Sequence, residues 1–388
     1  MGNPSDLISL VVFSKPRALA FKNALQANGI NASLVEVDAP DPDGLHPQHV
    51  FVSPDSLSRA LKILESGDFA PVSLLKMTGM GNNLLIPVDF SPSSILAVRA
   101  GFALARKFDV EPIVMHCLDD LRFDPNRYSP RDFAKNFSKD LAKDLAKELT
   151  KDFAKDHDKV DPRLLALASQ RLDEFKEHVA GLQASGDLPD VHFSTALLRG
   201  VPEEVIIEYA KQNKPVMVVM ATRGIDRKES DLVGSVTAEV IDACRVPVYS
   251  IPDNYSFTGI EGIKNILFFC TLSNVDIVLA RALMRTFDYP DCRVFLVPVS
   301  DRPIHSAGTK LDELAAYFNN AFPAARFFAF PRSSRRFDDD MLRLIDDNNI
   351  HLIIVPNKKA SAISRFFRPT LAHRFIFERD IPLLVFPV

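Results

Sequence analysis

Val218-Val219-Met220-Ala221-Thr222-Arg223-Gly224, followed ten residues later by Gly234-Ser235, is the stretch that decides the fold. Pro215 to Met220 is an apolar run that reads as a buried parallel strand. It ends in a small-residue turn, loops through Ile225 to Val233 and enters a helix at Gly234-Ser235. Strand, small-residue loop and helix start together present backbone N–H groups to a phosphate. Small residues let the backbone approach an oxyanion closely. The pattern is Ala221-x-x-Gly224-x9-Gly234-Ser235, with no Gly-Lys-Ser/Thr and no G-x-G-x-x-G. Two glycines alone fit equally a strand cap and a loop opening with no ligand.

A second stretch adds to this: Asn83-Leu84-Leu85-Ile86-Pro87-Val88-Asp89-Phe90-Ser91, an apolar strand ending in Pro-Val-Asp before a helix-capping Ser. Together the two stretches resemble the universal stress protein family, over residues 82–252 and more weakly over 264–388. The resemblance implies two tandem doubly wound parallel-sheet α/β domains of adenine nucleotide alpha hydrolase type, with ATP bound in the first. It implies that Val88 and Asp89 flank adenine and ribose, with Pro87, Met115, Met220 and Ala221 at the strand ends lining the crevice. Gly224, Gly234, Ser235 and Val236 then meet the phosphates, and Asp89 could also sit near a bound Mg²⁺. One departure stands out. Ala221 holds the place of the motif's first glycine, and alanine tolerates positive φ poorly.

The chain has 388 residues, enough for two or three domains, with 47% hydrophobic and 25% charged residues. A net charge of -4 argues against nucleic acid as the main partner. Cys117, Cys244, Cys270 and Cys292 show neither CxxC pairing nor metal spacing, which reads as buried thiols in a cytoplasmic protein. No apolar run reaches membrane-spanning length, and no secretory leader is visible at Met1.

Residues 1–78 read as a small α+β unit, β-α-β-β-α, with a faint likeness to ferredoxin-like regulatory domains. Residues 82–252 alternate strand and helix, which predicts a parallel sheet with helices on both faces. Strands are expected at 84–88, 112–116, 191–197, 216–220 and 246–251. The helix from Pro162 to Leu182 is expected to bury Leu165, Ala168, Leu172, Phe175, Val179 and Leu182.

The first domain carries a helical insertion, 121–160. Within it, Phe133 to Lys159 repeats every four residues, with Lys at 135, 139, 143, 147, 151, 155 and 159. At 100° per residue each step drifts by about 40°, so the apolar seam winds round the helix. This predicts a solvated, self-supporting helix or a partner-binding arm.

Residues 264–388 repeat the same strand and helix order, which suggests a fused pseudo-dimer. In the family, strands such as Val246–Ile251 and Leu383–Phe386 pair across such an interface. The second copy loses the site pattern. Thr271 replaces the strand-end Asp, and the loop becomes Asn357-Lys358-Lys359-Ala360, then Arg368-Pro369. This copy is not expected to hold ATP in the family's manner.

No nucleophile and base set stands out, and His116 reads as a satisfied strand-end histidine rather than a catalyst. The expectation is an ATP-binding regulatory protein, not an enzyme, with an unidentified protein partner and the option of a dimer of pseudo-dimers. An interaction scaffold without nucleotide is the alternative, favoured by Ala221 and by Asp226, Glu229 and Asp231 in the loop. An adenylyl-transferring enzyme is a third reading, weakened by the missing catalytic cluster.

Overall fold

The computed structural model describes residues 8–13, 15–36, 48–65, 81–119, 162–222, 235–272, 275–287, 291–298, 307–330, 337–357 and 380–387. The four-residue repeat at 133–159, both glycines Gly224 and Gly234, and the second-copy loop from Lys358 to Pro369 lie outside these residues.

The N-terminal unit comprises β1 (Ile8–Phe13), α1 (Lys15–Ala27), β2 (Ala32–Glu36), β3 (Gln48–Val52) and α2 (Leu57–Glu65). Its sheet order is β1-β3-β2, both pairs antiparallel. Gly29, just past α1, takes φ +71°, the left-handed turn that ends a helix and that glycine adopts without strain. Ala18, Phe21 and Leu25 of α1 are fully buried, as their i, i+3, i+7 spacing requires.

The first half of the large sheet is β4 (Asn83–Pro87), α3 (Pro92–Phe108), β5 (Glu111–Leu118), α4 (Pro162–Ala184), β6 (Ser194–Arg199), α5 (Pro202–Asn213), β7 (Val218–Ala221), α6 (Ser235–Ala243) and β8 (Val248–Ile251). The second half is β9 (Asn265–Cys270), α7 (Val275–Phe287), β10 (Cys292–Pro298), α8 (Ala307–Ala321), β11 (Ala325–Ala329), α9 (Phe337–Asn348), β12 (Leu352–Asn357) and β13 (Leu383–Pro387). All thirteen strands but the first three form one sheet, ordered β11-β10-β9-β12-β13-β8-β7-β4-β5-β6. Strand order within each half is the same, read outward from the centre. Every pair is parallel except β13 with β8, which meet antiparallel with Leu383 opposite Ser250 and Val385 opposite Val248. The two halves therefore share backbone hydrogen bonds across that pair. α2 and the turn at Pro54–Ser56 rest against α8 of the second half.

Strands buried on both faces read as continuous apolar runs, and two core layers result. One gathers Leu84, Ile86, Val88 and the inner side of α3 with Phe268, Leu296 and Phe386. The other gathers Leu85, Met115, Val218 and the inner sides of α5 and α6 with Leu267, Ile353 and Val385.

Several details depart from expectation: β7 and β8 begin at Val218 and Val248, two residues inside the expected runs, and Leu182 is only half-buried. Leu165 is 46% exposed and Leu164 takes its place at the core, because 164, 168, 172, 175 and 179 make the better helical stripe. The strand expected at 191–197 begins only at Ser194. Gln183 holds the preceding segment by donating from Nε2 to the carbonyls of Pro189 (2.9 Å) and Val191 (2.8 Å).

Candidate functional site

In a doubly wound sheet a crevice opens where successive crossovers leave on opposite faces, at the carboxyl ends of the strands. Here that point lies between β4 and β7, neighbours through Leu85 and Val218. The chain after β4 enters α3, which packs on the first core layer, and the chain after β7 leads to α6 on the second. Pro87 ends β4 with Val88 and Asp89 just beyond it, Met115 lies on β5, and Met220 and Ala221 end β7. The Val88 amide donates to the Met115 carbonyl at 2.8 Å, joining the first two strand ends. Thr237, in the first turn of α6, donates from Oγ1 to the Ala221 carbonyl at 2.9 Å. That bond sets the helix start, Ser235 and Val236, beside the end of β7. Val88, Met115 and Met220 are buried, whereas Pro87, Asp89, Ala221 and Val236 are partly open.

Asp89 organises the turn after β4. Its Oδ1 accepts from the Ser91 amide (3.0 Å) and from Ser94 Oγ (2.8 Å), while the Asp89 amide lies 3.2 Å from the same Ser94 oxygen. Phe90 takes φ +62°, a left-handed conformation that costs a bulky residue energy and that these three bonds hold in place. Ser91 is the N-terminal flanking residue of α3, but its side chain makes no cap bond, and its Oγ is buried with no partner among the described residues. Asp89 instead accepts the Ser91 amide, one residue before the helix begins. Ser93 donates to Asp253 Oδ1 at 3.0 Å, tying the helix start to the chain beyond β8.

Sequence reasoning missed a ring stack at this strand end. Phe90 lies 4.2 Å from the His116 ring and 5.6 Å from Phe175, with the Arg171 guanidinium 5.1 Å from its centroid. His116 Nδ1 bonds the Val88 carbonyl at 2.8 Å, which makes Nδ1 the protonated nitrogen of the neutral ring. Burial holds the His116 pKa below its ordinary value; the Val88 bond and the nearby Asp89 oppose that, and Arg171 adds to it. Burial likewise depresses the Arg171 pKa, against Glu174 and Asp89. Nothing in the period of α4 marks Arg171 as different from its other outward residues. Cys117, on the same strand, is pushed up to about 12 by burial and by Asp119 and Glu203, so its thiol is unreactive at neutral pH.

The second half shows the same turn built in reverse. Thr271 follows β9 and donates from N (2.8 Å) and Oγ1 (3.1 Å) to Asp276 Oδ1 in α7, and Leu272 takes φ +54°. Asp276 is fully buried. Hydroxyl and carboxylate have exchanged places while the turn geometry is kept.

A separate cleft of about 340 Å³ lies away from the strand ends, between Arg99, Arg106 and Lys107 of α3 and the link at Phe257–Glu261. Among the described residues, no group of three or more His, Cys, Asp and Glu is placed to hold a metal, and no helix is long and apolar enough to cross a membrane.

Residues 80–252 match the universal stress protein family. No curated protein matches the chain. Among solved structures, a universal stress protein from Archaeoglobus fulgidus DSM 4304 is 15% identical, covers 79% of this chain and 98% of its own length, and superposes with a TM-score of 0.52. That coverage takes in the second half as well as the first, so the fold of both is shared. Universal stress protein UspA from Lactobacillus plantarum is 19% identical over 45% of this chain and 97% of its own, with a TM-score of 0.30. A universal stress protein solved in complex with cAMP is 16% identical over 44% of this chain and 97% of its own, with a TM-score of 0.28. Residues 80–252, which carry both stretches that organise the crevice, are what matches the universal stress protein family, under half of the chain.

Proposed function

We propose that the crevice between β4 and β7 binds an adenine nucleotide, ATP, and that the protein acts through this binding as a regulator rather than as an enzyme. The observation that carries the reading is the Thr237–Ala221 bond, which pins the start of α6 beside the end of β7 at the switch point. A helix start there offers unpaired N–H groups and the positive end of its dipole to phosphate oxygens. Gly224, Gly234, Ser235 and Val236 would hold the phosphates, and Pro87, Val88, Met115, Met220 and Ala221 would line the base and ribose. The Asp89 carboxylate, already engaged by Ser91 and Ser94 through Oδ1, would face a ribose hydroxyl or a Mg²⁺ accompanying the phosphates. Bound nucleotide supplies charge and a conformational signal to this site; the chain's own residues orient it.

The competing reading is an interaction scaffold without nucleotide. It is favoured by the engagement of Asp89 in its own turn and by Ala221 in place of glycine. Calorimetric titration of ATP with Mg²⁺ into wild type and Gly234→Val decides between them. About one equivalent bound, and lost in the variant, is expected. No heat at millimolar ATP overturns the proposal in favour of the scaffold.

A further inference from the structure

Asn357 is the last residue of β12, the strand that in the second half holds the place of β7. It opens the loop whose glycine pattern is lost. Its side chain leaves its own half. Nδ2 donates to the carbonyls of Ile241 (3.0 Å) and Asp242 (3.3 Å), in the last turn of α6. Those carbonyls are among the four that a helix end leaves without partners. Asn357 is 5% exposed, and its Oδ1 is buried with no hydrogen-bond partner among the described residues. An unsatisfied buried acceptor is destabilising. Leucine has the same branching without that cost, so the donor is what distinguishes asparagine here.

We propose that Asn357 is a positioning residue acting across the two halves: it fixes the C-terminal end of α6, whose N-terminal end faces the crevice of the first half. α6 spans only Ser235–Ala243, about 13 Å at 1.5 Å per residue. In so short a helix, a tilt at one end moves the other. Thr237 holds the first turn from within the first half, and Asn357 holds the last from the second. The degenerate copy thereby has a use that needs no ligand of its own. The consequence for nucleotide rests on the proposed function; the positioning itself does not.

The test compares the full-length chain with Asn357→Leu, which keeps the branching and removes the donor, and with Ser250→Ala. Ser250 bonds the Leu383 carbonyl at the same interface but makes no bond to α6. Hydrogen–deuterium exchange is read over 235–243, and ATP with Mg²⁺ is titrated into each. Asn357→Leu is expected to speed exchange of this segment by about tenfold and to weaken ATP by about threefold or more, with Ser250→Ala unchanged in both. Exchange within about twofold of wild type in Asn357→Leu, or equal effects from Ser250→Ala, overturns the proposal. Should wild type bind no ATP, the proposed function falls, and the exchange result still decides the positioning. If Asn357→Leu does not fold, Asn357→Ala removes the same donor with less bulk.

Discussion

At the scale of single residues, the two halves solve one problem with opposite chemistry. A left-handed residue after the first strand, Phe90 or Leu272, needs a side-chain acceptor beside it. Asp89 with Ser94 supplies it in the first half, and Thr271 with Asp276 in the second. The exchange explains why a missing strand-end carboxylate leaves the second turn intact. It follows that Ser94→Ala should cost about 1 kcal/mol and Asp276→Ala about 1.5–3 kcal/mol, because the second removes a buried charged acceptor. Urea unfolding of each variant checks the order.

His116 yields a pH effect of fixed sign. Burial keeps its folded pKa below the ordinary 6.5, so the unfolded chain takes up the proton first on acidification. Its contribution is fully present above about pH 6.5 and is lost as pH falls through the folded pKa. Asp89 and Arg171, the charged groups beside the ring, act in opposite directions and leave burial in control. His116→Gln, which keeps a donor for Val88, should lose less stability than wild type between pH 7.5 and pH 5. An equal or larger loss in the variant would remove His116 as the source. His351 has the same sign, through burial and Arg293, and remains in both proteins as background.

At the scale of elements, periodicity carried most of the reading. The apolar strands stand where their runs predict, since a strand buried on both faces has no polar residue to misplace. α4 was read one residue out of phase at Leu165, where adjacent leucines leave the stripe undecided until Ala168 and Leu172 are packed. The delayed start of β6 was hidden because it depends on Gln183, which reaches over eight residues to Val191. Left-handed Phe90 was equally invisible, since a non-glycine residue carries no local sign of positive φ. Gly101 in α3 shows how closely that helix lies on β4. A Cβ there would come 2.5 Å from Ile86 Cδ1 and 2.9 Å from Cγ1. Gly101→Ala gains about 1 kcal/mol of helix propensity, but overpacking costs about 1–3 kcal/mol. A net destabilisation is expected by thermal or urea unfolding; a stabilised variant would mean that α3 can lift from the sheet.

At the scale of the whole molecule, the β8–β13 pairing makes one sheet of two halves. The family resemblance implied that pairing, but the side-chain bonds that cross it were not legible in the sequence. Asn357 reaching Ile241, and Ser250 reaching Leu383, depend on which residues face each other once the two halves meet. Both core layers contain residues from both halves, so neither half buries its apolar surface alone. Leu384 is 1% exposed and stands opposite Tyr249 across the join. Leu384→Ala should cost about 2–5 kcal/mol, the usual range for a leucine truncated in a packed core. Because the join is shared, the loss should appear in both halves together. Tyrosine fluorescence, which includes Tyr249 at the join and Tyr317 in α8, should move to lower urea in step with far-UV circular dichroism. A two-step curve, with one step unmoved by the substitution, would show that each half keeps its own stability. A single displaced transition would make the second half a structural requirement of the crevice in the first.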